Sequence, residues 1–233
     1  TQGYSSAASD VYKRQDQSCY TYLISDRGAY DTFPLTAGNG SYALQVLENV
    51  AGDTYTVSLA QSINVSIEDE FLPFLYPNQY VNFHTDSKAV SKGSDLAKDT
   101  YSDLDVVQNI YNYVIKNISY DTEKAQNVSY GYVPDIDDTL SSKKGICFDY
   151  AALMASMLRS QNIPTKLEVG YSGDAYHAWI STYIDDKGWV DDIIQFNGDT
   201  WQIMDPTLAA TNDSAAVKKY IGDGSHYVVK YTY

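Results

Sequence analysis

The feature that most narrows the fold is the stretch from Gly145 to Ile184, where one strongly apolar helix runs directly into extended strands. The helix is predicted to begin at Cys147, just after Gly145. Ala151, Met154, Met157 and Leu158 supply an apolar face, and Asn162 and Pro164 end it. Strands are then predicted over Lys166 to Tyr171, Ala175 to Ile184, Gly188 to Phe196 and Thr200 to Asp205. The turns Asp186-Lys187-Gly188 and Asn197-Gly198-Asp199 separate the last three. Before this stretch, Ser102 and Asp105 make a capping signal, and Leu104, Val107, Ile110, Tyr111 and Val114 recur at helical spacing, so a helix ends near Asn117. Tyr120 to Ser142 reads as a long loop. The order helix, helix, antiparallel sheet is an α+β layout. A short helix near Ala215 to Tyr220 and a last strand from Tyr227 to Tyr233 complete it.

The first part of the chain reads differently. Tyr42, Leu44, Val46 and Leu47, then Tyr55, Val57 and Leu59, alternate between turns at Asn39-Gly40 and Gly52-Asp53, as antiparallel hairpins do. This predicts a small β-sandwich-like region. Phe71 to Tyr80, with Pro73 and Pro77, reads as a linker. Residues 6–15, SAASDVYKRQ, resemble a translated sequencing adapter of the kind found at the ends of metagenomic reading frames. The expected division is a non-native segment over 1–15, a β-rich region over 16–95 and a catalytic domain over 96–233.

Charge restricts the partners. Sixteen Lys plus Arg stand against 30 Asp plus Glu, a formal charge of -14. Nucleic-acid binding needs cations to displace phosphate counterions, and an anionic membrane surface repels such a protein. A protein or peptide partner fits better. No apolar run is long enough to span a bilayer. The two cysteines, Cys19 and Cys147, make neither a disulfide framework nor a zinc site, and no metal or cofactor is expected.

Cys147 at a helix start suits nucleophilic chemistry. Only the thiolate attacks, and the unpaired N–H groups and partial positive charge of a helix N-terminus lower the thiol pKa. The same N–H groups can stabilise an oxyanion, worth roughly 2.7–4 kcal/mol per donor. His177, near a strand start, can shuttle the proton. Asp205, ahead of Pro206, can hold the imidazole tautomer. In strand alternation His177 shares a face with Trp179, which can shield an ion pair from water. Taken singly, each has an ordinary structural explanation: a buried Cys, an exposed His, an Asp in a turn.

Their local context is more specific. GICFDYAALMASMLRSQNIPTKLEVGY (Gly145–Tyr171), HAW (His177–Trp179), GW (Gly188, Trp189) and MDPT (Met204–Thr207) resemble, in order and spacing, the motifs of the transglutaminase-like superfamily. The resemblance covers about residues 100–210. It implies a papain-like core and Cys-His-Asp catalysis at Cys147, His177 and Asp205. Asn162 stands where the family usually has Gly, Thr165-Lys166 replaces Ala-Arg, and residues 191–200 are an insertion. The family often adds an upstream oxyanion donor, for which Tyr120 is the candidate. Trp179, Trp189 and Trp201 are candidate walls of the substrate cleft. The resemblance implies acyl transfer through a Cys thioester, with hydrolysis of peptide or isopeptide bonds ahead of amine transfer, and an inactive binding module as a reading of another class. With the acidic, Tyr-rich composition it also suggests a bacterial protein at the cell envelope or outside the cell.

Overall fold

The computed structural model describes residues 7–13, 18–24, 30–52, 54–185, 187–190, 194–196, 201–203 and 227–233. The chain divides into two compact units, residues 1–73 and 74–233. The boundary expected at 95/96 instead falls inside a helix of the second unit, α1 (Lys88–Ala97).

The first unit is built from β1 (Ala7–Lys13), β2 (Cys19–Leu23), β3 (Gly40–Ala51) and β4 (Thr54–Val65). They form one antiparallel sheet in the order β2-β1-β3-β4. The β3–β4 hairpin follows the predicted turn, with Gly52 at φ 55°. Tyr42 is buried, its hydroxyl donating to the Gly38 carbonyl at 2.6 Å. One expectation changes here. The sandwich-like region is a single sheet among the described residues. The segment expected to be non-native contains β1, which pairs with β2 on one edge and β3 on the other.

The second unit is organised around α5 (Cys147–Arg159), where every residue from Asp149 to Arg159 is buried. A helix without a wet face belongs at the centre of a core. Helices α1, α2 (Asp103–Asn117) and α4 (Ile136–Ser142) pack on it, as do β7 (Thr165–Ser172) and β8 (Ala175–Ile184). The α1 contact is close: a Cβ on Gly93 would lie 3.0 Å from the Met157 carbonyl oxygen. The sheet order is β12-β7-β8-β9, all antiparallel, with β9 (Gly188–Val190) and β12 (Tyr227–Thr232) at the edges. Arg159, 3% exposed, ties the far end of α5 to this sheet. Its guanidinium donates to the carbonyls of Thr165, Tyr76 and Tyr233, each at 2.8 Å.

The predicted helix at 102–117 is α2, with the Ser102 hydroxyl accepting from the Asp105 N–H. The predicted long loop is not one. It holds β5 (Ser119–Tyr120), α3 (Thr122–Asn127) and α4, with Asp121 and Asp135 capping the two helices. Within the strand predicted over 188–196, β9 belongs to the main sheet, and β10 (Ile194–Phe196) pairs with β11 (Trp201–Ile203). The tail helix predicted near 215–220 lies outside the described residues.

Candidate active site

Cys147 is the first residue of α5 and is partly exposed. The other α-helices among the described residues of this unit begin under an oxygen ligand. Ser102, Asp121 and Asp135 cap α2, α3 and α4, and the Asp137 carboxylate accepts from the Lys88 and Ala89 N–H groups of α1. The N-cap of α5 is Ile146, which has no side-chain oxygen. The positive end of this helix therefore acts on the thiol without a cap carboxylate or hydroxyl between them, which favours the thiolate.

An anion does lie in the first turn. Asp149 is fully buried and accepts from the Ile146 N–H at 2.8 Å. Left alone, it would oppose a second negative charge nearby. Lys124 compensates it, with Nζ 2.8 Å from Oδ2, and the Tyr132 hydroxyl donates to Oδ1. The Lys124 ammonium also donates to the Tyr132 oxygen at 2.6 Å and sits 4.4 Å from the ring centre. Burial, and then the hydrogen bond to Asp149, push the Tyr132 phenol well above its ordinary pKa. The cluster is thus an ion pair with a neutral phenol. It also explains the glycine two residues before the thiol: a Cβ on Gly145 would come within 2.7 Å of the Asp149 Cβ.

Tyr120 reaches the same end of α5 through a two-residue parallel pairing. Strand β5 runs beside β6 (Lys144–Gly145), with Tyr120 opposite Gly145. The Asp121 N–H then donates to the Gly145 carbonyl at 2.9 Å. Strand β8 packs on α5, and its Tyr176 phenol is raised by burial, by Tyr231 and Tyr171, and by the charge of Cys147. The start of β8 therefore lies within electrostatic reach of the thiol.

His177 is the next residue of β8, partly buried and opposite Gly170 of β7. The predicted shared face with Trp179 is present, the two rings near-parallel at 25° with centres 6.4 Å apart. Trp179 is fixed in turn by Glu168, its cross-strand partner: the indole N–H donates to Oε2 at 3.0 Å, and the Ser181 hydroxyl donates to the same oxygen. Asp205 lies outside the described residues.

The tryptophans divide. Trp179 is 1% exposed, so it backs His177 and does not wall a cleft. Trp189 pairs with Tyr183, six residues from His177 and roughly 20 Å along an extended strand. There it packs edge-on against Phe74 at 5.3 Å, with the Lys166 ammonium 3.9 Å from its ring centre. The structure does not bring it to Cys147. Trp201 falls on β11, opposite Phe196, and its side chain lies outside the described residues.

Sequence reasoning missed Asp149, Lys124, Tyr132 and Glu168. An acid at the third position of a helix is a capping signal and was readable. Lys124 and Tyr132 lie 25 and 17 residues away from Asp149, and only the fold brings them there.

A family model described as the transglutaminase-like superfamily matches residues 91–191. Residues 91–191 are thus similar to a transglutaminase-like domain. The matched segment holds α2, α5, Cys147 and His177, and it ends before Asp205. A UPF0252 protein of Methanocaldococcus jannaschii is 30% identical over 118 residues, which is 44% of this chain and 34% of that protein. Kyphoscoliosis peptidase of Mus musculus is 30% identical over 107 residues, 40% of this chain and 16% of that protein. The match thus spans about a third or less of each relative's length. Among solved structures, the periplasmic domain of TgpA from Pseudomonas aeruginosa aligns with a TM-score of 0.46 at 14% identity, covering 94% of this chain and 92% of that one. Transglutaminase-like superfamily proteins are cysteine proteases or acyltransferases as a rule, and the fold around Cys147 has the mixed helix and antiparallel-sheet character of that group. Among the described residues no helix is long and apolar enough to cross a membrane.

Proposed function

We propose that this chain is a thiol-dependent acyl-transfer enzyme that hydrolyses peptide or isopeptide bonds, with Cys147 as nucleophile, His177 as general base and Asp205 as the residue that orients the imidazole. The Cys147 thiolate attacks the amide carbonyl, forming a C–S bond and an oxyanion. The first N–H groups of α5, and Tyr120 beside Gly145, are the candidate donors to that oxyanion. The imidazolium of His177 gives its proton to the departing amine as the C–N bond breaks. Water then attacks the thioester, His177 takes its proton, and the acid leaves with the thiolate and imidazolium restored.

The observation that carries this reading is the placement of a partly exposed thiol at the first residue of a central helix that is buried from Asp149 onward and whose N-cap is apolar. A purely structural cysteine would more often sit inside the helix with its sulfur sealed in hydrocarbon. The acidic charge of -14 favours a polypeptide substrate over a polyanion, and it suits a protein of the cell envelope or the extracellular space.

Iodoacetamide near neutral pH should alkylate Cys147 much faster than the exposed Cys19, with the label lost in Cys147→Ala. Casein offered with a fluorescent amine then separates the outcomes. Fragments mean hydrolysis and incorporation means amine transfer. Equal, slow labelling of both thiols with neither product would leave a binding module and sink the enzyme reading.

A further inference from the structure

Among the described residues, one cluster of side chains is used by neither the core nor the proposed triad. Tyrosines and a phenylalanine from four separate segments gather at the thiol end of α5. Phe148 follows Cys147 directly and is only partly buried. Tyr80, from the segment before α1, places its ring 5.3 Å from that of Phe148. Tyr132, two residues beyond Tyr130, places its ring 6.5 Å from that of Phe148. Burial lifts the Tyr80 phenol to about 12, and Tyr130 and Tyr176 each add to the effect. Tyr176 also feels Cys147. Across the β7–β8 pairing it meets Tyr171 edge-on at 5.5 Å.

Three of these rings are open to solvent. Tyr130 is 84% exposed, Tyr176 59% and Tyr171 41%. Isolated exposed aromatics need no explanation. Here the exposed rings converge from the 130–132 loop and the β7–β8 hairpin on the one end of α5 that carries the thiol.

We propose that this aromatic belt of Tyr80, Tyr130, Phe148, Tyr171 and Tyr176 is the acyl-donor subsite of Cys147, and that it takes a peptide segment bearing an aromatic side chain close to the reacting carbonyl. This rests on the reading of Cys147 as the nucleophile. The occupant follows from chemistry and place. Whatever presents a carbonyl to Cys147 must cross the mouth of α5, and there it meets ring faces and edges. Phenol edges and faces pack best against another ring, in offset or edge-to-face contact, while their hydroxyl rims bond the peptide backbone. Among the described residues the cations near the belt are Lys230, 6.0 Å from the Tyr171 ring centre, and Lys124, whose ammonium is paired with Asp149. An acidic peptide or a polyanion would find little to hold it.

The test uses peptidyl chloromethyl ketones, in which the thiolate displaces chloride and forms a thioether. Acetyl-Phe-Phe-Gly and acetyl-Ser-Ser-Gly chloromethyl ketones are compared by second-order inactivation rate, with mass spectrometry locating the adduct at Cys147. Iodoacetamide serves as the reagent with no peptide. The Phe reagent should react at least about tenfold faster than the Ser reagent, the factor that one buried aromatic contact supplies. Tyr176→Ser and, independently, Tyr130→Ser should shrink that ratio several-fold. Tyr101→Ser, a 97% exposed tyrosine elsewhere, should leave it unchanged. Having both Tyr176 and Tyr130 variants guards against one that fails to fold. Rapid iodoacetamide labelling with a Phe-to-Ser ratio near one would overturn the subsite and leave the thiol reading standing. A high ratio indifferent to both variants would place the discrimination elsewhere and overturn it too. Slow labelling by every reagent would remove the nucleophile, and the subsite with it.

Discussion

At the scale of single residues, the decisive fact is that an acid lies buried in the first turn of the helix that carries the thiol. Asp149 is tolerated there because every donor it needs is supplied: Lys124, the Tyr132 hydroxyl and the Ile146 N–H. Breaking such a cluster costs more than its net stabilising effect, since the surviving partner is stranded without water. The Lys124 side chain is 28% exposed and Asp149 is at 0%, so the loss falls below that of a fully buried pair. Lys124→Met should lower stability by about 1–3 kcal/mol in urea unfolding, with the slope unchanged. Adding Asp149→Asn should recover part of that loss, because the stranded charge is gone. If the double variant is as unstable as the sum of the two single ones, Lys124 does not act through Asp149. The pair could not be found from sequence, whereas the places of Cys147 at a helix start and of His177 near a strand start could, because each sits inside a contiguous local pattern.

At the scale of elements, legibility followed how much of each element's support is local. Helix α5 and strands β7 and β8 are dense in apolar residues and bounded by Asn162, Pro164 and glycine turns, and the structure returns them to within a residue or two. Helix α2 carries its own cap in Ser102 and was equally readable. Helix α1 was not. Its sequence KAVSKGSDLA is mostly polar and contains Gly93. Its first amides are capped from α4 by Asp137, 48 and 49 residues away. The glycine that weakens the local signal is what lets α1 approach α5, so the feature that hides the helix also seats it. Helices α3 and α4 are short, and their caps Asp121 and Asp135 fall within the stretch that reads as a loop. Gly93→Ala makes the conflict measurable. Propensity alone favours Ala by about 1 kcal/mol. The new methyl would instead meet the Met157 carbonyl at 3.0 Å, a backbone group that cannot rotate away. Overpacking costs about 1–3 kcal/mol, so the variant should be less stable, by about 1 kcal/mol net. A higher urea midpoint for Gly93→Ala would mean that α1 does not lie against Met157.

At the scale of the whole molecule, 23 tyrosines give the chain a property that no single site reveals. Several are pushed up from the ordinary phenol value, chiefly by burial: Tyr80 to about 12, and Tyr132, Tyr150 and Tyr176 in the same direction. All four belong to the unit formed by residues 74–233. Burial raises these values because the phenolate is the form that resents losing water. In the unfolded chain the phenols return to about 10. Between the unfolded and folded values the unfolded state has released protons that the folded state still holds, so stability falls as pH rises. For Tyr80 the contribution is complete below about pH 10 and lost as pH climbs through about 12. The second unit should therefore unfold in a cooperative alkaline transition, and part of the tyrosinate absorbance should appear only with that unfolding. Tyr80→Phe removes one such group and should make the urea midpoint less sensitive to pH across that window. If all the tyrosines of the folded protein ionised together near the ordinary value, the rings around α5 would be solvated, and neither the core nor the belt beside Cys147 would be packed as described.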